Sequence, residues 1–220
     1  MTRVLVLRPQ PSTDATVAKA RQIGLQAVAI PLFEVDAVSW EPPEAGSFDG
    51  LLLTSANAVR FGGEALIGLR GLKAYAVGEA TAEAAREAGL DIAATGNAGV
   101  DRLLGSIESD LTLLHLCGED RREPVDAKQR ITAIAVYRAS SLVPDLSDTK
   151  DCVALVHSPR AGRRFAELVR DRGTISIAAI SDAAAQAVGD GWRTVVTAEK
   201  PTDDALLALA ARLCDKPDPE

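Results

Sequence analysis

Positive charge is in deficit. Lysine and arginine number 24 against 31 aspartates and glutamates, a net charge of −7, whereas a nucleic-acid binder ordinarily presents a basic face. No nucleic-acid partner is therefore expected, and an anionic ligand has to be held by local positive potential against the field of the whole molecule. Long apolar runs are missing too, and none approaches the length that crosses a bilayer, so no membrane partner is expected. "MTRVLVLRPQ" enters a strand directly, without the apolar stretch and small-residue cleavage site of a secretory signal. Cys117, Cys152 and Cys214 have no CxxC spacing and read as reduced thiols in a core. Together these features point to the cytoplasm. There are only two histidines, and neither has metal-ligand spacing. His115 reads as core and His157 as a strand-end residue whose side chain diverges from that of Ser158, which disfavours a Ser–His pair. "GGEALIGLRG" follows a helix start and lacks Gly-Lys-Ser/Thr, so it is neither a dinucleotide fingerprint nor a P-loop.

What is present is alternation. "RVLVL", "QAVAI", "GLLLT", "KAYAV", "LTLLHL", "CVALVH", "ISIAAI" and "RTVVTA" are short apolar or β-branched runs, and most are separated by Ala-rich stretches of helical pattern. Continuous apolar strands with helical crossovers predict parallel sheet covered on both faces. Gly24 and Gly89 stand where C-terminal glycines end helices. With 220 residues the chain can bury one large core or two small ones.

The chain also repeats itself. Residues 51–104 align without a gap on 154–207: Leu52 falls on Leu155, Ser55 on Ser158, Arg60 on Arg163, Glu64 on Glu167, Ala76 on Ala179 and Ala82 on Ala185. Two related α/β lobes follow. The opening unit, residues 1 to about 34, has its counterpart in "LTLLHLCGEDRREPVDAKQRITAIAVYRA", which comes after the first repeat copy. The economical topology has two doubly wound, flavodoxin-like parallel-sheet lobes, one inserted in the other. Residues 1–34 and 141–220 form the discontinuous lobe and 37–134 the inserted one. A two-stranded hinge is expected, with crossings near 32–39 and 131–140. A site in the cleft between the lobes is the expectation that goes with this layout.

The ordered set "LVLRPQP", "LLLTSANAVRF", "AVGEATAEAAREAG", "HLCGEDRREP", "IAVYRA", "HSPRAGRRF" and "EKPTDDALL" resembles the uroporphyrinogen-III synthases over nearly the whole chain. The resemblance implies a monomeric, cofactor-free lyase of heme and porphyrin biosynthesis. Such an enzyme closes the linear tetrapyrrole hydroxymethylbilane into uroporphyrinogen III, inverting the terminal pyrrole ring and losing water. The other reading of the layout is a non-catalytic module that binds a carboxylate or phosphate ligand. Some positions depart from the family pattern. Ala183 and Ala184 stand where hydroxyls are common, His157 replaces the first copy's Thr54, and Asp120 and Arg121 precede Arg122 where small residues are usual.

A polycarboxylate needs donors at strand ends, where helix N-termini favour anions. Thr54, Ser55, Gly78, Gly118, Ser158, Ser181 and Thr202 each read as such a strand-to-helix turn, with Asn57, Thr81, Glu119, Pro9 and Pro159 beside them. Serine and threonine there read equally well as helix caps. Arg8 ends the first strand and is expected over the same edge, with an ion pair as its alternative. Arg122, with Arg121 as the alternative, is placed at a helix start where it could fork a carboxylate. Tyr137 matches the family's tyrosine, and the resemblance implies a general acid that helps the substrate's hydroxyl leave. A packing tyrosine is the alternative reading.

Overall fold

The computed structural model describes residues 2–97 and 99–215. Its contacts divide the chain into Met1–Glu34 with Ser141–Glu220 as one unit and Val35–Ser140 as the other.

The discontinuous unit is built on β1 (Arg3–Val6), β2 (Gln26–Ala29), β9 (Cys152–Val156), β10 (Ser176–Ala179) and β11 (Thr194–Thr197). They lie side by side in the order β11-β10-β9-β1-β2, and every neighbouring pair is parallel. Counted within the unit this is 2-1-3-4-5, the flavodoxin order, whose reversal point falls between β1 and β9. Alternation along β1 divides the core: Leu5 and Leu7 pack with Phe165, Ile177 and Trp192, while Val4 and Val6 face Leu206, Leu209 and Ala210. The covering helices are α1 (Ser12–Gln22), α5 (Pro159–Leu168), α6 (Asp182–Ala187) and α7 (Asp203–Cys214).

The contiguous unit contains β3 (Phe33–Ala37, which crosses the unit boundary), β4 (Gly50–Leu53), β5 (Lys73–Val77), β6 (Asp91–Gly96), β7 (Thr112–Gly118) and β8 (Arg130–Ser141). The sheet order is β3-β8-β7-β4-β5-β6, parallel from β8 to β6, so the strand order reverses between β4 and β7. If β7 and β8 are read as the counterparts of β1 and β2, the two sheets have the same spatial order from differently started chains. That is what the repeat at 51–104 and 154–207 requires.

Two helices differ from the sequence reading. "SANAVRFGGEALIGL" gives only α2 (Ala56–Phe61), because the Gly62–Gly63 pair interrupts it and Gly63–Leu69 winds as a 3-10 turn. Residues 119–129 form no helix, so Gly118 and Arg122 do not stand at a helix start. "GEDRREPVD" lacks an apolar stripe to bury, and Pro124 disfavours helical backbone at Glu123. The five-residue α4 (Val100–Leu104) packs there, with Leu103 and Leu104 against Leu52 and Leu113. The buried Gln129 ties the loop down by donating to Leu104 O at 3.0 Å and Glu108 O at 2.7 Å.

Candidate active site

Each sheet carries polar groups and helix starts at the C-terminal ends of its strands. The helix starts there obey the repeat. Ser55 caps α2 and Ser158 caps α5; Gly78 precedes α3 (Glu79–Glu87) where Ser181 caps α6; Gly99 precedes α4 where Thr202 caps α7. The cap oxygens accept from Asn57 N (3.2 Å), Ala161 N (3.1 Å), Ala184 N (3.3 Å) and Ala205 N (3.3 Å). Ser55, Ser158, Ser181 and Thr202 are thus each occupied as caps, whereas Thr54 is not a cap. Pro159 sits at the first position of α5, where the missing N–H costs nothing.

In the discontinuous unit the edge carries a buried ionic network. Asp203, in the first turn of α7, takes His157 Nε2 on Oδ1 at 2.9 Å and Arg8 Nη1 at 3.3 Å, and accepts from Thr16 Oγ1 at 3.1 Å. The His157 side chain is 8% exposed and that of Asp203 19%. Burial alone would raise the Asp203 carboxyl, but His157, Thr16 and Arg8 outweigh it and hold the group below its ordinary value. Arg8, expected over this edge with an ion pair as its alternative, does pair with Asp203 here, and Pro9 is half-buried beside it. Sequence reasoning missed Asp203 and Thr16. The signal available was "TDD" opening α7, but nothing local says that its first acid meets a strand end from the other part of the unit.

In the contiguous unit, Thr54 follows β4 and His115 lies on β7 opposite Leu52 in the ladder. Thr54 Oγ1 and His115 Nε2 are 3.0 Å apart. His115 is 1% exposed, and burial first, then the Arg121 charge, lowers its pKa to about 4. It is neutral at any physiological pH. Thr81 is buried and Gly78 half-buried. Asn57 Oδ1 accepts from Arg60 Nη1 at 3.3 Å.

Gly118 and Tyr137 face each other across β7 and β8. A Cβ on Gly118 would stand 2.8 Å from Tyr137 Cε2 and 3.1 Å from its hydroxyl oxygen, so the bare glycine is what lets the phenol lie there. Phe61 flanks the ring at 6.3 Å between centroids, and Glu119 N donates to Tyr137 O at 2.9 Å. The Glu119 side chain is exposed. Arg122 is 78% exposed and 3.6 Å from Asp101, an ordinary surface pair; Arg121 pairs with Glu123 at 2.7 Å. Among the described residues no His, Cys, Asp and Glu cluster is disposed to hold a metal ion, and no helix is long and apolar enough to cross a membrane.

Two doubly wound parallel-sheet units, each with polar residues and helix starts at the C-terminal ends of its strands, define a two-unit α/β protein. The chain belongs to the uroporphyrinogen-III synthase family: the profile described as uroporphyrinogen-III synthase HemD matches residues 14–208. A uroporphyrinogen-III synthase of Chlorobaculum parvum is 31% identical over 101 residues, 42% of this chain and 41% of that protein's own length. The fold is that of the uroporphyrinogen-III synthetase from Helicobacter pylori, with TM-score 0.70, 18% identity, and 97% of this chain and 100% of that one covered. A mutant uroporphyrinogen III synthase from Thermus thermophilus also matches, with TM-score 0.57, 19% identity, and 98% and 100% covered.

Proposed function

We propose that the protein cyclises hydroxymethylbilane to uroporphyrinogen III, inverting the terminal pyrrole ring and releasing water. The observation that carries this reading is family membership over residues 14–208 combined with the helix starts at the strand ends of each unit. On this reading the helix starts capped by Ser55, Ser158, Ser181 and Thr202 take the carboxylates of a linear tetrapyrrole. Gly78, Gly118, Pro9 and Pro159 let the ligand approach the backbone.

The chemistry asked of the protein is modest. The terminal C–O bond breaks, and its hydroxyl leaves as water with a proton supplied to the oxygen. The pyrrole nitrogen's electron pair leaves an electrophilic azafulvenium cation, which becomes the neutral azafulvene when its N–H proton is lost to water. Tyr137, with a reference pKa near 10, is a weak acid and a good neutral donor to the leaving oxygen. The substituted carbon of the terminal pyrrole then attacks, and a spiro intermediate fragments and recloses with the ring inverted. Selection between the two closures is a matter of holding the ring in place and stabilising charge. We take the enzyme to work as a cytoplasmic monomer, which suits its three free thiols, two of them buried.

Purified protein added to hydroxymethylbilane should convert it predominantly to the type III isomer, read by separating the oxidised porphyrins. An isomer ratio left at that of spontaneous closure sinks the proposal.

A further inference from the structure

We infer that His115 is a positioning residue that frees the proton of the Thr54 hydroxyl to point toward the substrate. This rests on the functional reading above and adds to it a residue whose burial in β7 hides it from the ligand. Among the described residues, His115 Nε2 is the hydrogen-bond partner of Thr54 Oγ1, at 3.0 Å, and His115 Nδ1 is buried with no partner.

A neutral imidazole carries one N–H, and the two tautomers are not equivalent here. With the proton on Nδ1, that N–H would be a buried donor with nothing to meet, and Thr54 would spend its own proton on Nε2. With the proton on Nε2, the imidazole donates to Oγ1 and only a bare lone pair is left unpaired at Nδ1. Orphaned buried N–H groups are rarer in proteins than under-satisfied acceptors, so the second arrangement is adopted. In the other unit Nε2 is again the nitrogen that meets the polar partner. Asp203 is an acceptor-only carboxylate, so His157 donates from Nε2, and His157 Nδ1 is likewise buried without a partner.

The consequence falls on Thr54. A hydroxyl has one proton and two lone pairs. With one lone pair filled by His115, the proton must point elsewhere, and Thr54 is half-buried at the end of β4, beside the Ser55 cap. A hydroxyl whose proton is kept off His115 in this way can donate it to a carboxylate, which a hydroxyl bonded through its own proton could not do. Because His115 stays neutral, the arrangement does not reverse across the working pH range.

Two measurements test this. In nitrogen-15 spectra of the imidazoles at pH 7, His115 should be protonated on Nε2 and bare on Nδ1; the opposite tautomer overturns the inference whatever the enzyme does. In kinetics with hydroxymethylbilane, Thr54→Val and His115→Phe should each raise KM about tenfold with little change in kcat, the size of one lost charge-assisted hydrogen bond. The double variant should be no worse than Thr54→Val, and His115→Gln, which keeps a donor, should recover part of the loss. If His115→Phe lowers activity as much in the Thr54→Val background as alone, the histidine acts through packing and the inference fails. A wild type that leaves the isomer ratio at the spontaneous value is a different result: it removes the functional reading and the substrate contact while leaving the tautomer result intact.

Discussion

Gly118 and Tyr137 form one register pair, and no side chain can be added at Gly118 without moving the Tyr137 ring. Gly118→Ala places a methyl 2.8 Å from a ring carbon. What gives way is the free end of the tyrosine, since the rest of β7 and β8 is held by the ladder. We expect Gly118→Ala to keep its far-ultraviolet circular dichroism while losing most of the turnover that Tyr137→Phe loses. Tyr137→Phe itself should reduce turnover about 10²-fold if the phenol acts as a general acid. That loss should exceed the one from Ser55→Ala, Ser158→Ala or Ser181→Ala, each of which removes one contact among many. Near-wild-type turnover in Tyr137→Phe, with a larger loss in a serine variant, would make the phenol a packing group. The caps were legible in the sequence because each hydroxyl stands between an apolar run and a helical pattern. The Arg8–Asp203 pair was not, because its partners lie 195 positions apart and meet only through the order of strands.

At the level of single elements, α5 depends on its cap more than its length suggests. Its ten residues follow a strand that is buried throughout, and Ser158 is the side chain that receives the Ala161 N–H. Ser158→Ala should cost about 1 kcal/mol and Ser158→Gly only a few tenths, read as a lower urea midpoint at unchanged slope. Neither should alter which isomer forms, if selection rests on many shared N–H groups. The alternating strands and helices were readable from periodicity and glycines. The missing helix after β7 was misread because "LTLLHLCGEDRREPVDAKQ" follows the order of the opening unit. Its charged run, interrupted by Pro124, has no face to bury, and the repeat implied an element that the residues themselves cannot form.

Across the molecule, acid should be felt first through His115. The unfolded chain binds that proton at about 6.5, whereas the native state resists it until about 4, so the unfolded state carries more protons in between. Stability is therefore full above pH 6.5 and declines as pH falls toward 4, by roughly 3 kcal/mol from this one group. Asp203 acts in the same direction lower down. Its carboxyl is held below the ordinary 3.8, so its contribution is present above that value and is lost as pH falls through the native pKa. Urea unfolding at pH 7, 5.5 and 4 should show the decline, and His115→Phe should flatten it. A wild-type curve with no slope between pH 6.5 and 4 would mean that the ring is solvated.

The adjacency of β1 and β9 also constrains how the protein is made. These neighbours in one sheet are parted in the chain by everything from residue 7 to residue 151, including the whole contiguous unit. A ribosome adding about 5–20 residues per second needs roughly 7–30 s to bring β9 out after β1. Meanwhile the strands of Val35–Ser140 are all available to one another, so that unit can close first. Val4, Leu5 and Val6, each at most 1% exposed once folded, have β2 to pair with in that interval but lack β9 on their other side. In a crowded cell such a waiting strand invites pairing with another nascent chain, and a holding chaperone is the natural guard against it.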